Sequence, residues 1–237
     1  MSGSLRARVE ELPWKNLEES LDAAGYASAG PFLEPEECAA LVKLYGQDRR
    51  FRKRVEMARH SFGEGDYAYF ERPLPKAVAT LQEALYRRLV PTAYRWNRAL
   101  GRKATYPKTL SDFHRQCRRA GQGKPTPLLL RYVAGGFNCL HRDLYGEIAF
   151  PIQAMVLLSA PGRDFRGGEF LIVENRARQQ SRGAALTPGH GDLVLFANNE
   201  RPAEGARGTL RASMRHGLSP LRSGKRFALG IIFHDAA

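Results

Sequence analysis

Three residues, His141, Asp143 and His216, have the types and spacing to hold one metal ion. In His141-Arg142-Asp143 the two candidate ligands are two positions apart. In an extended segment such positions point to the same side, so both side chains can reach one cation. A third ligand must come from elsewhere, and His216 lies 75 residues on, at the end of an expected strand. Two imidazoles and a carboxylate make a facial triad, which leaves three metal positions open for a bidentate co-substrate and O2. Histidine-x-aspartate recurs by chance in unrelated sequences, so the pair takes its meaning from the rest of the pattern. Arg226 follows His216 by ten residues, inside Ser223-Gly224-Lys225-Arg226-Phe227-Ala228-Leu229. A dicarboxylic co-substrate that chelates a metal through a 2-oxo acid group has a second carboxylate needing a partner, and a guanidinium fork pairs with it bidentately. Tyr132, nine residues before His141, either donates its phenol to that carboxylate or packs its strand.

The elements that must position these residues divide the chain in two. In the front part, Trp14 to Ala24 has helical spacing of Leu17 and Leu21, with Gly25 as the stop. Pro31-Phe32-Leu33 reads as a short strand or connector. Pro35 opens a second helix whose first turn carries Glu36 and Glu37, which complement the helix dipole. Tyr67, Tyr69 and Phe70 read as a strand with aromatic residues on one side. A long amphipathic helix is predicted from Pro75 to about Leu100, interrupted near Pro91, and another over Leu110 to Ala120. After the Gly121 to Pro127 loop the texture changes to short strands separated by Gly/Pro turns: Leu128–Val133, Ile152–Ser159, Glu169–Val173, Leu193–Phe196, Ala212–His216 and Phe227–Phe233. That spacing predicts a sandwich or barrel-like β architecture. The expected organisation is a helical, substrate-side portion, 1–127, packed on a β core, 128–237, within one compact unit.

Composition narrows the partners. Thirty-seven Lys plus Arg against 24 Asp plus Glu leave a net charge of +13 and a pI near 10.0. Such an excess suits a polyanion such as nucleic acid, or is a solvated surface and nothing more. No stretch approaches the roughly 18 apolar residues of a membrane span, and the first nine residues hold no apolar signal region. Cys38, Cys117 and Cys139 form no paired framework, which suits a reducing cytoplasm. Nothing in the sequence speaks to oligomeric state.

Taken in order, Arg131-Tyr132-x-x-Gly135, His141-x-Asp143, Gly167-Gly168-Glu169-Phe170, Pro188-x-x-x-Asp192-Leu193-Val194-Leu195-Phe196, His216 and Arg226 resemble the Fe(II)/2-oxoglutarate-dependent dioxygenase superfamily. The resemblance spans roughly residues 128 to 236. Gly25-Tyr26, Pro31-Phe32-Leu33 and Glu36-Glu37-Cys38 are similar to the entry into prolyl-hydroxylase-type members. Glu174-Asn175-Arg176-x-Arg178-x-Gln180-Ser181-Arg182, Met214-Arg215-His216-Gly217 and Leu229-Gly230-Ile231-Ile232-Phe233-His234-Asp235 look like a bacterial branch labelled nucleic-acid oxygenases. The chain departs from the alkylated-DNA repair dioxygenases, for no Arg-x-Asn-x-Thr-x-Arg segment follows the distal histidine.

The resemblance implies an α+β chain with a double-stranded β-helix (jelly roll) core. It also implies Fe(II), 2-oxoglutarate as co-substrate, O2, and ascorbate as a reductant that such enzymes can draw on. The metal ligands would be His141, Asp143 and His216, with Arg226 and Tyr132 on the co-substrate. The implied reaction splits 2-oxoglutarate to succinate and CO2 while oxidising a substrate C–H, and the protein holds and orients the partners. In the nucleic-acid branch that C–H belongs to an N-methyl group on a damaged base; the alternative is hydroxylation of a protein side chain, free amino acid or other small molecule. An extruded base needs stacking partners. Tyr67 and Tyr69, with His60 nearby in sequence, are candidates, or else they simply close the end of the barrel. Arg176, Arg178 and Arg182 either track phosphates, contact a small anionic substrate, or form a solvated loop.

Overall fold

A computed structural model of the chain describes residues 3–103, 106–205 and 208–237. The front portion runs α1 (Leu5–Glu10), α2 (Trp14–Ala24), β1 (Tyr26–Ala29), α3 (Pro35–Leu44), β2 (Phe51–Glu56), β3 (Gly63–Glu64), β4 (Asp66–Phe70), α4 (Lys76–Ala99) and α5 (Leu110–Arg119). There follow β5 (Leu128–Val133), β6 (Phe137–His141), β7 (Ile152–Leu157), β8 (Phe165–Gly167), β9 (Phe170–Arg176), β10 (Arg182–Leu186), β11 (Leu193–Ala197), β12 (Glu200–Gly205), β13 (Gly208–Leu218) and β14 (Leu221–Ile231).

The strands form two antiparallel sheets. The major sheet has the order β1-β11-β7-β14-β5-β4-β2, with β8 also on β14, and the minor sheet has β10-β9-β13-β6-β3, with β12 also on β13. The architecture is the expected jelly roll with helices on it. Three major-sheet strands, β1, β2 and β4, come from the front portion. Leu81, Leu85 and Leu89 of α4 share one continuous buried cluster with Leu129, Val156 and Leu229 of the sheet. The Gln82 amide of α4 donates to the Ile232 carbonyl at 2.7 Å, tying the helix to the end of β14.

Helix α4 continues through Pro91 instead of breaking there. Pro91 is exposed, while Leu85, Leu89, Ala93 and Trp96 on either side are buried. Their burial outweighs a local cost of about 3 kcal/mol for an interior proline.

Candidate metal and co-substrate site

The register of the minor sheet brings the two histidines together. His216 on β13 pairs directly with His141 on β6, and directly opposed residues have Cβ atoms about 5 Å apart. Their ring centroids are 4.3 Å apart. A register shift between His216 and Leu218 adjusts the pairing, and Gly217 sits at that point: a Cβ there would fall 2.7 Å from the Asn138 carbonyl oxygen.

Asp143 lies two residues beyond β6. One carboxylate oxygen is 3.6 Å from His141 Nε2 and the other 3.3 Å from His216 Nε2. One ligand atom from each of the three residues lies within 4.8 Å of the others. The His141 Nδ1–H donates to the Cys139 carbonyl at 2.7 Å, which turns the Nε2 lone pair toward the cluster. Burial alone would raise the Asp143 carboxyl. The hydrogen bond and charge of His216, followed by His141 and the Tyr145 phenol, hold it well below the usual carboxylate range. His216 is pushed down by burial and then by the neighbouring imidazole. A carboxylate and two imidazole nitrogens are a donor set that suits a divalent metal.

The cluster opens into a cavity of about 360 Å³ between the two sheets. Arg226 and Tyr132 line it, as directly paired residues of β14 and β5. Arg226 is 2% exposed, and its Nε finds no hydrogen-bond partner. Burial draws its guanidinium down to about 10, with Tyr132 opposing the shift, so it stays charged at neutral pH. Gly168 makes room for it: a Cβ there would meet Leu221 at 2.6 Å and the Arg226 stem at 3.3 Å. The Tyr132 phenol is buried and meets Asn138. A buried cation lacking a counter-charge is costly, and here it faces a cavity that also carries a metal-ligand set. These residues fit Fe(II) and a dicarboxylate with a 2-oxo group.

The other sequence candidates separate. Tyr67 and Tyr69 line the cavity, with ring planes at 82° to each other. His60 is exposed and stacks on Phe62, which reaches the cavity mouth. Arg176 instead turns to Glu174, at 2.6 Å, away from the cavity lining. Arg178 and Arg182 are exposed on the turn and strand that follow.

Sequence reasoning missed four wall or bracing residues. Tyr145 donates its phenol to Asp143 at 2.6 Å, and Tyr69 donates to Tyr145 at 3.0 Å. Continuing the two-residue alternation past Asp143 would have found Tyr145. Asn138 and Gln153 line the cavity, and the Gln153 Nε2 is buried without a partner. Asn198 binds the backbone of Asp143 from the end of β11, a contact with no local sequence signal.

Comparison with known proteins agrees with this geometry. Residues 65–236 match the family model Oxygenase-NA, described as an oxygenase catalysing oxidative methylation of damaged DNA. An uncharacterized protein of Mycobacterium tuberculosis is 46% identical over 168 residues, which are 71% of this chain and 72% of that protein. Among solved structures, a Trichoplax adhaerens prolyl hydroxylase in complex with a hypoxia-inducible-factor peptide fragment aligns with a TM-score of 0.61 and 13% identity, over 99% of this chain and 94% of its own. A Pseudomonas putida prolyl-4-hydroxylase aligns at 0.55 and 15%, over 94% and 100%. These likenesses carry the fold, and the family match carries the chemistry. The chain belongs to the Oxygenase-NA family and is an Fe(II)- and 2-oxoglutarate-dependent oxygenase.

Proposed function

We propose that His141, Asp143 and His216 hold the iron, that Arg226 with Tyr132 binds the distal carboxylate of 2-oxoglutarate, and that the oxidised substrate is an N-methylated base in nucleic acid. The observation that carries the site reading is the buried Arg226, whose Nε has no hydrogen-bond partner among the described residues, facing the same cavity as the histidine–aspartate cluster. When bound, the iron and co-substrate supply the oxidising power for an unactivated C–H bond, with succinate and CO2 as co-products. The chain's own residues orient the partners. His141 and His216 present imidazole nitrogens, Asp143 adds the anionic donor, and Arg226 sets the direction of the co-substrate. A hydroxylated N-methyl group loses formaldehyde and leaves the unmethylated base.

Three features support nucleic acid. The net charge of +13 favours a polyanion. Tyr67 and Tyr69 offer aromatic walls to an extruded base. At the cavity mouth Phe62 and Leu140 are 48% and 36% exposed, as a surface that meets unstacked bases would be. The free thiols of Cys38, Cys117 and Cys139 fit a reducing, cytoplasmic setting, and among the described residues no helix is long and apolar enough to cross a membrane.

The test is substrate-stimulated succinate formation over methylated single-stranded oligonucleotides, peptides and amino acids, with formaldehyde measured alongside. Methylated oligonucleotides are expected to stimulate succinate and release formaldehyde in equal amounts, with binding that weakens as salt rises. Stimulation by a peptide or amino acid alone would replace the nucleic-acid reading with a hydroxylase and leave the metal site in place.

A further inference from the structure

Asp143 sits in the irregular segment between β6 and β7, where no strand ladder fixes its backbone. Two buried carboxamides take the ladder's place. The Asn198 Oδ1 accepts from the Asp143 N–H at 2.9 Å, and its Nδ2 donates to the Asp143 carbonyl at 2.6 Å. Five residues on, the Gln122 Oε1 accepts from the Ile148 N–H at 2.8 Å, and its Nε2 donates to the Ile148 carbonyl at 2.9 Å. Asn198 and Gln122 are both 0% exposed. Each side chain satisfies both polar groups of one peptide residue, as a neighbouring strand would. Gln122 is held in turn by the Asp235 carbonyl at 2.7 Å, and the Asn198 backbone N–H donates to the Pro151 carbonyl at 2.9 Å.

The two clasps differ in what they grip. Gln122 holds Ile148, an apolar residue packed against the core, and secures the far end of the segment. Asn198 holds the one residue of the segment that belongs to the metal-ligand cluster. It fixes the Asp143 backbone while the Tyr145 phenol fixes the side chain from the carboxylate end. Asp143 is thereby held at both its backbone and its carboxylate.

We infer that Asn198 is a positioning residue for the metal, acting through the backbone of Asp143, and that Gln122 is a scaffold residue for the same segment. The inference rests on Asp143 being an iron ligand. Outer-shell partners of metal ligands set geometry, and their loss typically weakens metal binding by about 10–100-fold.

The experiment compares Asn198→Ala with Gln122→Ala by anaerobic calorimetric titration with Fe(II), and with Mn(II) as a redox-inert probe. Thermal unfolding of the metal-free proteins is measured in parallel. Both variants are expected to unfold at lower temperature, because Asn198→Ala strands two backbone polar groups and Gln122→Ala three. Only Asn198→Ala is expected to bind metal about 10–100-fold more weakly. Equal weakening in both variants would reduce Asn198 to a scaffold role, and wild-type affinity in Asn198→Ala would overturn the inference. If Asn198→Ala does not fold, Asn198→Ser keeps one hydrogen-bonding group and is expected to bind metal measurably more weakly than wild type, by less than the full loss of about 10–100-fold; wild-type affinity in that variant overturns the inference. Asp143→Ala separates this inference from the site itself, since unchanged metal affinity there would remove the ligand assignment and not merely its brace.

Discussion

Arg201 and Arg226 are 1% and 2% exposed, and their surroundings could hardly differ more. Arg201 donates Nε and Nη2 to Glu174 at 2.8 and 2.5 Å. Its remaining donors reach the carbonyls of Asp22, Ala23 and Pro202. The first two carbonyls belong to the end of α2, where helix carbonyls lack intrahelical partners, so this arginine closes the helix against the minor sheet. Glu174 is shared with Arg176. Among the described residues no carboxylate pairs with Arg226: its Nε has no hydrogen-bond partner, and its guanidinium lies 5.8 Å from the Phe165 ring centroid. Every guanidinium donor of Arg201 is answered from within the chain, whereas the Arg226 charge faces a cavity. A buried cation of the first kind is structural; one of the second kind is what the proposed binding of the co-substrate carboxylate requires.

The contrast breaks first at the ligand cluster. His141→Ala or Asp143→Ala is expected to abolish 2-oxoglutarate turnover while circular dichroism stays that of the folded chain. Full turnover by either variant would misplace the metal. Next, Glu174→Gln leaves the Arg201 charge buried and unanswered, and is expected to cost roughly 3–5 kcal/mol of stability in urea unfolding. A loss below about 1 kcal/mol would mean that the Arg201 cluster is no better satisfied than Arg226.

Arg226→Met sharpens the comparison from the other side. It removes a charge-assisted contact to the co-substrate, worth about 1.5–3 kcal/mol, so the KM for 2-oxoglutarate is expected to rise roughly 10–150-fold. The metal-free variant is expected to unfold at or above the wild-type temperature, because an unpaired buried cation has been replaced by an apolar chain of similar length. A variant that melts well below wild type, with its 2-oxoglutarate requirement unchanged, would make Arg226 a second structural arginine.

The last effect is spread over pH and concerns His234, which is fully buried and whose Nδ1 accepts the Phe150 N–H at 3.2 Å. Burial pulls its imidazole down to about 4, partly opposed by the Asp143 charge. An unfolded histidine takes up its proton near 6.5. Between those values the unfolded chain binds more protons, so stability is present above about 6.5 and is lost as pH falls toward 4, by up to about 1.4 kcal/mol per pH unit. His114 and His216, also pushed down by burial, act in the same direction. Urea midpoints that stay level from pH 7 to 4.5 would show that these imidazoles are not held neutral.

The legible parts of the site were those with a local period. His141 and Asp143 are two apart, and His216 and Arg226 fall on strands with alternating or continuous apolar residues. The strand carrying His141 was not legible as a strand. Phe137-Asn138-Cys139-Leu140 has an irregular burial pattern, and it is held by its pairings with β13 and β3. Arg176 illustrates the reverse problem. In sequence it stands among arginines that suggest a phosphate track, yet Glu174 two positions earlier shares its strand face and claims it. The braces on Asp143 come from Asn198 and Tyr145, and the first is 55 residues away.

By itself, the order of residue types determined the histidine–aspartate candidates, the arginine that accompanies them, the β-rich core and the excess of positive charge. All of these follow from side-chain chemistry and from the two-residue repeat of extended chain. Only the tertiary structure decided which buried arginine is satisfied, which aromatic residues reach the cavity, and what holds Asp143 still. Those outcomes depend on register between distant strands and on side chains arriving from other elements, and no local period encodes them.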